Sequence, residues 1–383
     1  MLMRSDQGTA PKGRGQPPTV STRRLIAVCT VLVLIGPTVS YLRALTYPGN
    51  AGVGVRTVEW IRDSGGAPVV DAVENWWFTR HAPTGPAPDP GLLPRAGTPP
   101  APGVVSALPA LPMAPPVPGE GVWSTGRQAV GGAPALFTTF VRPDAAHPSV
   151  IAGIARFDRR LVRGRLIAGT KEPDAQSWPE GGQVPAADRA GLVAAFNSGF
   201  KMVSAHGGFY ADGRHVRQLR NGAASLVIDR TGQMSVGMWG RDARLGPDIA
   251  AVRQNLELIV DNGAPVPGLQ VNARGRWGSA RNQLQYTWRS GVGVDAAGNL
   301  YYAGGNQLTL TSLARALATA GVVRGMELDI HPRMVDLLTY RPGPDGAPVP
   351  TPLLPAMPGP PTRYLEPDQR DFVAVTLRPD PAR

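Results

Sequence analysis

TLTSLARALATAGVVRGMELDIH, residues 309–331, passes from a helical to an extended pattern within one short span. Leu310, Leu313, Ala314 and Leu317 fall on one face of a helix over 309–320, and Gly321 suits its C-terminal cap. The residues after it read as a strand, in which alternate side chains share a face. Met326, Leu328 and Ile330 are then expected to enter the core, with Glu327, Asp329 and His331 on the other side. A strand that follows a buried helix is expected inside a sheet, so two carboxylates and an imidazole would floor a cleft. Crowded carboxylates raise one another's pKa, which separates an acid from a base. The plainer alternative is an edge strand with a solvated charged face.

Outward from this span, strand-like runs recur over residues 135–141, 150–157, 161–167, 192–196, 225–229, 234–239, 256–260, 290–294, 300–303 and 372–377. Asp229-Arg230-Thr231-Gly232 and Asp295-Ala296-Ala297-Gly298 are turn signals between paired strands. Many strands and few helices predict an α+β (sheet-rich α/β) class, with a single mixed-sheet domain over residues 121–383.

Two further stretches carry polar groups suited to a site. The apolar run 192–196 stops at Asn197-Ser198-Gly199, which turns the chain and leaves the Asn197 amide for a ligand. His206-Gly207-Gly208 lets backbone approach a ligand, with His206 as acid or anion contact; an ordinary turn histidine is the alternative. Arg289 leads the strand Ser290-Gly291-Val292-Gly293-Val294 and can clamp a phosphate or carboxylate in bidentate fashion; a surface ion pair is the alternative. The sequence has no Walker loop, no G-x-S-x-G elbow and no H-E-x-x-H helix. Its five histidines show no metal-ligand spacing, so no metal is expected, and no cofactor is named.

The N-terminal third is built differently. Residues 25–42 are apolar and uncharged, near the minimum length for a bilayer span. Arg4, Lys12, Arg14, Arg23 and Arg24 precede them, against the single acid Asp6. The positive-inside rule predicts a cytoplasmic basic tail (1–24), a transmembrane helix (25–42) and everything later outside the plasma membrane. A signal peptide cut near Thr38-Val39-Ser40 is the alternative. Cys29, the sole cysteine, lies within the run, so the exported part needs no disulfide. Residues 43–82 suggest two juxtamembrane amphipathic helices, 53–62 and 69–78, rich in tryptophan. Prolines crowd residues 83–120, which predicts a semi-rigid stalk. The net charge is +11, nearly all from arginine, but no basic cluster interleaved with aromatics supports nucleic-acid binding.

Taken in order, several segments resemble the phosphodiester glycosidase family. Phe196-Asn197-Ser198-Gly199-Phe200 is similar to its glycine-rich strand end followed by an aromatic. Leu258-Ile259-Val260-Asp261-Asn262-Gly263 resembles its strand ending in Asn-Gly. Residues 289–294, 300–303 and 308–320 match its arginine-led strand, hairpin and Thr-Leu helix, and Leu328-Asp329 stands at its closing Leu-Asp. The likeness covers roughly residues 190–335. Ser198 stands where the family has glycine, and Ile330-His331-Pro332 replaces its glycines. The resemblance implies a hydrolase of a glycosyl phosphodiester or related envelope glycan linkage. Asp329 would be the central carboxylate, Glu327 or His331 its acid/base partner, and Asn197, Arg289, His206 and Asn262 the substrate contacts. The competing readings are a non-catalytic envelope module that binds glycan or an assembly partner, and a scaffold for another membrane protein.

Overall fold

The computed structural model describes residues 22–49, 51–110, 112, 116–174, 176, 178–279 and 283–379. It divides into two compact units, residues 1–47 and 48–383. The first unit's described part is helix α1 (Thr22–Thr46), which contains the apolar run; of its side chains Ile26 and residues 34–46 are described. The basic tail and the Cys29 side chain lie outside the described residues. No helix among the described residues is long and apolar enough to cross a membrane.

The second unit opens with α2 (Val53–Ile61) and α3 (Ala67–Arg80), joined by a kinked turn at Gly65. The rest of the described residues is mainly antiparallel sheet, with two more α-helices, the short α4 (Ala186–Arg189) and α5 (Leu310–Thr319). An eight-stranded sheet runs Ser124–Thr125, Leu136–Val141, Ala152–Phe157, Leu300–Leu308, Thr287–Val294, Arg324–Ile330, Leu258–Asp261, Ala264–Pro265. A five-stranded sheet runs Arg214–Arg217, Phe209–Ala211, Ile249–Gln254, Ala224–Asp229, Met234–Met238; another runs Pro348–Pro352, Leu337–Pro342, Leu192–Asn197, Phe372–Leu377, Val162–Ile167. Buried side chains from all three meet in one apolar core that includes Phe157, Phe196, Phe209, Leu226, Leu328 and Val373.

The α5 helix begins as its sequence demands. Thr309 caps it through Ser312 N–H, and Ser312 returns a bond to the Thr309 N–H. Its Leu310, Leu313 and Leu317 face pack into a second core with Ile259, Tyr301 and Val322. Gly291 in the underlying strand admits the helix, a Cβ there standing 3.2 Å from Leu317 Cδ1, and Gly293 admits Val322 and the neighbouring strand. A Cβ on Gly293 would stand 2.4 Å from Val322 Cγ1 and 2.6 Å from the Arg324 carbonyl.

One expectation fails for backbone reasons. The proline-rich segment does not stand free as a stalk. Proline lacks an N–H but keeps its carbonyl, and the segment lies along the open side of the Ser124–Thr125 strand. The Thr98 carbonyl accepts Thr125 N–H at 2.7 Å, the Ser106 carbonyl accepts Trp123 Nε1–H at 2.9 Å, and Leu108 N–H donates to the Gly121 carbonyl at 2.9 Å. Val105 and Leu108 pack on the core beneath. The Pro348–Pro352 strand is a further place where proline's missing N–H decides the geometry. Pro348, Pro350 and Pro352 alternate along an outermost strand, so their missing N–H groups fall on its unpaired side.

Candidate functional site

Four strand ends meet at one place. Leu192–Asn197 and Arg324–Ile330 end there, while Thr287–Val294 and Phe372–Leu377 begin there. Backbone bonds tie them together: Asp329 N–H donates to the Ser198 carbonyl (2.9 Å), Ser198 N–H to the Asp371 carbonyl (3.3 Å), and His331 N–H to the Trp288 carbonyl (2.8 Å). Asn197, Arg289, Glu327, Asp329 and His331 are thereby gathered at one end of the domain.

Alternation holds as far as Leu328: Met326 and Leu328 enter the core and Glu327 points away from them, to Arg289. Then the ladder slips. Gly291 pairs with Glu327 but Arg289 pairs with Ile330, so the Arg324–Ile330 strand carries an extra residue. This bulge puts Ile330 where regular pairing would put Asp329, and re-aims the carboxylate. Asp329 Oδ2 accepts a bond from Arg370 Nη2 at 2.8 Å, and Oδ1 accepts Ile330 N–H at 2.9 Å. Ile330 leaves the main core for a small cluster with Phe200, Ala205 and Leu256.

Glu327 and Arg289 are both fully buried and paired, with Arg289 Nη1 donating to Glu327 Oε1 at 2.6 Å. Arg289 Nε is bound to the Leu308 carbonyl at 3.1 Å. The expected phosphate clamp is therefore engaged inside the protein, because Glu327 lies diagonally across the ladder from it. Glu327 Oε2 and Arg289 Nη2 have no partner. Burial drives the Glu327 pKa up to about 7, with the Arg289 charge opposing and the Asp329 charge reinforcing. Burial also raises Asp329, against the pull of Arg370. Two adjacent carboxyls thus both favour the protonated form more than free carboxyls do.

Asn197 lies beside Asp329, but its amide is consumed by structure. Nδ2 donates to Ser290 Oγ (2.9 Å) and to the Ser198 carbonyl (3.1 Å), while Oδ1 accepts Tyr302 O–H (3.1 Å) and Asp336 N–H (3.0 Å). Ser290 Oγ passes the link on to the Asp329 carbonyl at 2.8 Å. Asn197 is a brace rather than a free ligand contact. The neighbouring hydroxyl of Ser198 is buried without a partner. His331 stacks on Phe78 of α3, ring centroids 5.6 Å apart, and faces Thr287 and Glu74. Burial, helped by the Arg289 and Arg62 charges, depresses its pKa to about 3, so it is neutral and a poor proton donor. His206 is on an exposed turn, its carbonyl held by Arg220. Asn262 sits in the exposed turn after Asp261, which pairs with Arg324, at the opposite end of the strand from Asp329. Its left-handed backbone (φ 51) explains the Asn-Gly sequence as a turn requirement.

The residues that sequence reasoning passed over come from far along the chain. Arg370 holds Asp329 and the Gly199 carbonyl, and its Nη1 is 3.7 Å from Glu59 Oε1 on α2. Lys201 Nζ lies 3.5 Å from the same Glu59 oxygen and 3.1 Å from Asp63, and Lys171 Nζ is 2.7 Å from Asp63. Of only three lysines in the chain, these two converge here, which was a readable signal. The α2–α3 hairpin therefore seals the site with acids placed against Lys171, Lys201 and Arg370. Beneath α2, lined in part by Glu59, Arg333, Arg363 and Arg370, is a cavity of about 70 Å³. That holds two or so waters and falls far below the roughly 300 Å³ of a small-molecule site. No group of three or more metal-ligating side chains is found among the described residues.

Residues 190–351 match the phosphodiester glycosidase family. No curated protein matches the chain. Among solved structures, the catalytic domain of zebrafish N-acetylglucosamine-1-phosphodiester alpha-N-acetylglucosaminidase is similar at 17% identity and a TM-score of 0.42, over 67% of this chain and 87% of that one. A protein from Synechocystis is similar at 13% identity and a TM-score of 0.36, over 64% and 62% of the two chains. One from Burkholderia pseudomallei stands at 14% and 0.34, over 60% and 74%. The matched segment, residues 190–351, contains Asn197, Arg289, Glu327 and Asp329, so the likeness to the phosphodiester glycosidase family falls on the part of the chain that builds this site.

Proposed function

We propose that this protein is a membrane-anchored, extracytoplasmic hydrolase of a glycosyl phosphodiester or related envelope glycan linkage. The observation that carries the reading is the buried pair Glu327 and Asp329 within the family-matched segment, both with raised pKa. A carboxyl that holds its proton near neutral pH can protonate a leaving oxygen while its neighbour stabilises the developing sugar cation. Glu327 suits the first role and Asp329 the second. Arg370 and Lys201, rather than Arg289, are the cations left for a phosphate once Glu59 moves away. Anchoring through residues 25–42, with the basic tail on the cytoplasmic side, is part of the same proposal.

The sealed site favours a second reading, a glycan-binding module without turnover, since neither Asn197 nor Arg289 extends a side chain toward a ligand. The two are separated by incubating the purified full chain with sugar 1-phosphodiesters and measuring sugar release. Release that disappears in Asp329→Asn supports the hydrolase. Binding without release in the wild-type chain sinks it and leaves the module.

A further inference from the structure

Helix α3 is turned inside out relative to an ordinary surface helix. Two of its polar side chains face the domain, Glu74 meeting His331 and Asn75 accepting a bond from Gln285, while Asp71 and Glu74 are also held by Arg62 in the hairpin's own turn. Several of its apolar side chains face away, although Phe78 packs inward on His331. Val69, Val73, Trp76 and Trp77 are 66%, 58%, 50% and 49% exposed, and Ala72 and Arg80 lie on the same open stripe. The spacing 69, 72/73, 76/77, 80 is a continuous helical face, and it carries no acid. Elsewhere in the second unit, exposed large apolar side chains such as Val130, Val203 and Val271 are scattered along the chain, which is normal for a surface. A contiguous stripe with two tryptophans is different.

The occupant of this stripe is indicated by what precedes it. The uncharged apolar run 25–42 lies in α1, and only residues 47–52 connect α1 to α2, a length that spans at most about 20 Å. That linker leads into α2, and α3 follows directly after the turn at residues 62–66, so an anchor in residues 25–42 would keep the α2–α3 hairpin within reach of lipid headgroups. The side-chain chemistry fits that layer: tryptophan rings prefer the headgroup zone, and Arg80 reaches over the Trp76 ring, 5.5 Å from its centroid, where anionic phosphate would be met. We propose that the Val69–Val73–Trp76–Trp77 face of α3 lies in the headgroup–acyl boundary of a bilayer, parallel to its surface. The assignment rests in part on the anchored reading of residues 25–42. Its consequence is positional: the inner side of the same helix packs on His331, two residues along the chain from Asp329, so that end of the domain would face the membrane surface.

The test uses the full chain with Cys29→Ala, reconstituted into vesicles of phosphatidylethanolamine and phosphatidylglycerol. Nitroxide labels are placed singly through Val73→Cys, Val203→Cys and Leu34→Cys. Collisions with oxygen, which concentrates in lipid, are compared with collisions with a water-soluble nickel chelate. The expected result is an oxygen-to-nickel ratio at position 73 about threefold or more above that at position 203. A ratio at 73 equal to that at 203 overturns the proposal. So does shielding of position 73 from both reagents, which would mean a protein partner or a second copy covers the face. The Leu34 label reports separately on the anchor: a water-like ratio there refutes the anchor, while the outcome at 73 still decides the α3 assignment.

Discussion

Arg370 donates to Asp329 at 2.8 Å across 41 residues of chain, and the same guanidinium reaches Glu59 on α2. One cation thus links the candidate catalytic carboxylate to the helix that covers it. Arg370→Ala strands a buried carboxylate, and the loss of stability is expected at about 3–5 kcal/mol. In the Arg370→Ala/Asp329→Ala double variant part of that loss should return. Urea unfolding of the four species gives the coupling; additive losses would mean the pair does not interact energetically.

The clasp between α2 and the domain is weaker. Asp63 and Lys171 are 45% and 38% exposed, so their ion pair contributes under about 1 kcal/mol. Glu59→Gln with Asp63→Asn is expected to leave the melting temperature nearly unchanged while amide exchange in α2 speeds up several-fold. If the chain is a hydrolase, turnover should rise in the same variant. Unaltered exchange over residues 53–61 would show that these acids do not hold the hairpin closed.

Asp336 is fully buried, neither carboxylate oxygen has a hydrogen-bond partner, and the nearest cation, Arg363 Nη1, is 3.9 Å away. Burial lifts its pKa from 3.8 to about 6 against the Arg363 charge. The folded state therefore binds this proton more tightly than the unfolded chain does. Its contribution is fully present below about pH 4 and is lost as pH rises through about 6. Asp336→Asn should stabilise the protein near pH 8 by up to about 3 kcal/mol and change little near pH 4. Denaturation across that range checks both ends, and a gain independent of pH would contradict the assignment.

Gly293→Ala drives a methyl against Val322 and the Arg324 carbonyl, a backbone atom that cannot swing aside. A loss of about 1–3 kcal/mol is expected. Gly246→Ala, with no neighbour within 4 Å, serves as the control and should be close to neutral. Equal behaviour of the two in thermal melts would mean the neighbouring Arg324–Ile330 strand and Val322 yield to the added methyl.

How much of this was legible beforehand depended on the range of the forces involved. The α5 helix was readable because Thr309, Ser312 and the leucines at 310, 313 and 317 act within a few residues of one another. The burial of Met326 and Leu328 followed from alternation. The bulge that re-aims Asp329 was not readable, since it exists only in the pairing with Arg289 and Gly291 on another strand. Asn262 misled because a left-handed turn and a ligand contact both select asparagine before glycine. Arg289 is occupied by Glu327, a partner 38 residues away. Arg370 and Glu59 flank opposite ends of the chain and carry no local mark of their meeting.

The proline-rich strip along Ser124–Thr125 has a practical bearing on where the protein can be cut. A fragment beginning at Gly121 would lose the Thr98 carbonyl from Thr125 and the Ser106 carbonyl from the Trp123 ring nitrogen. It would offer a bare strand margin to any neighbouring molecule, an invitation to stack edge to edge. Fragments that retain residues 90–120 should stay monodisperse where the shorter one clumps.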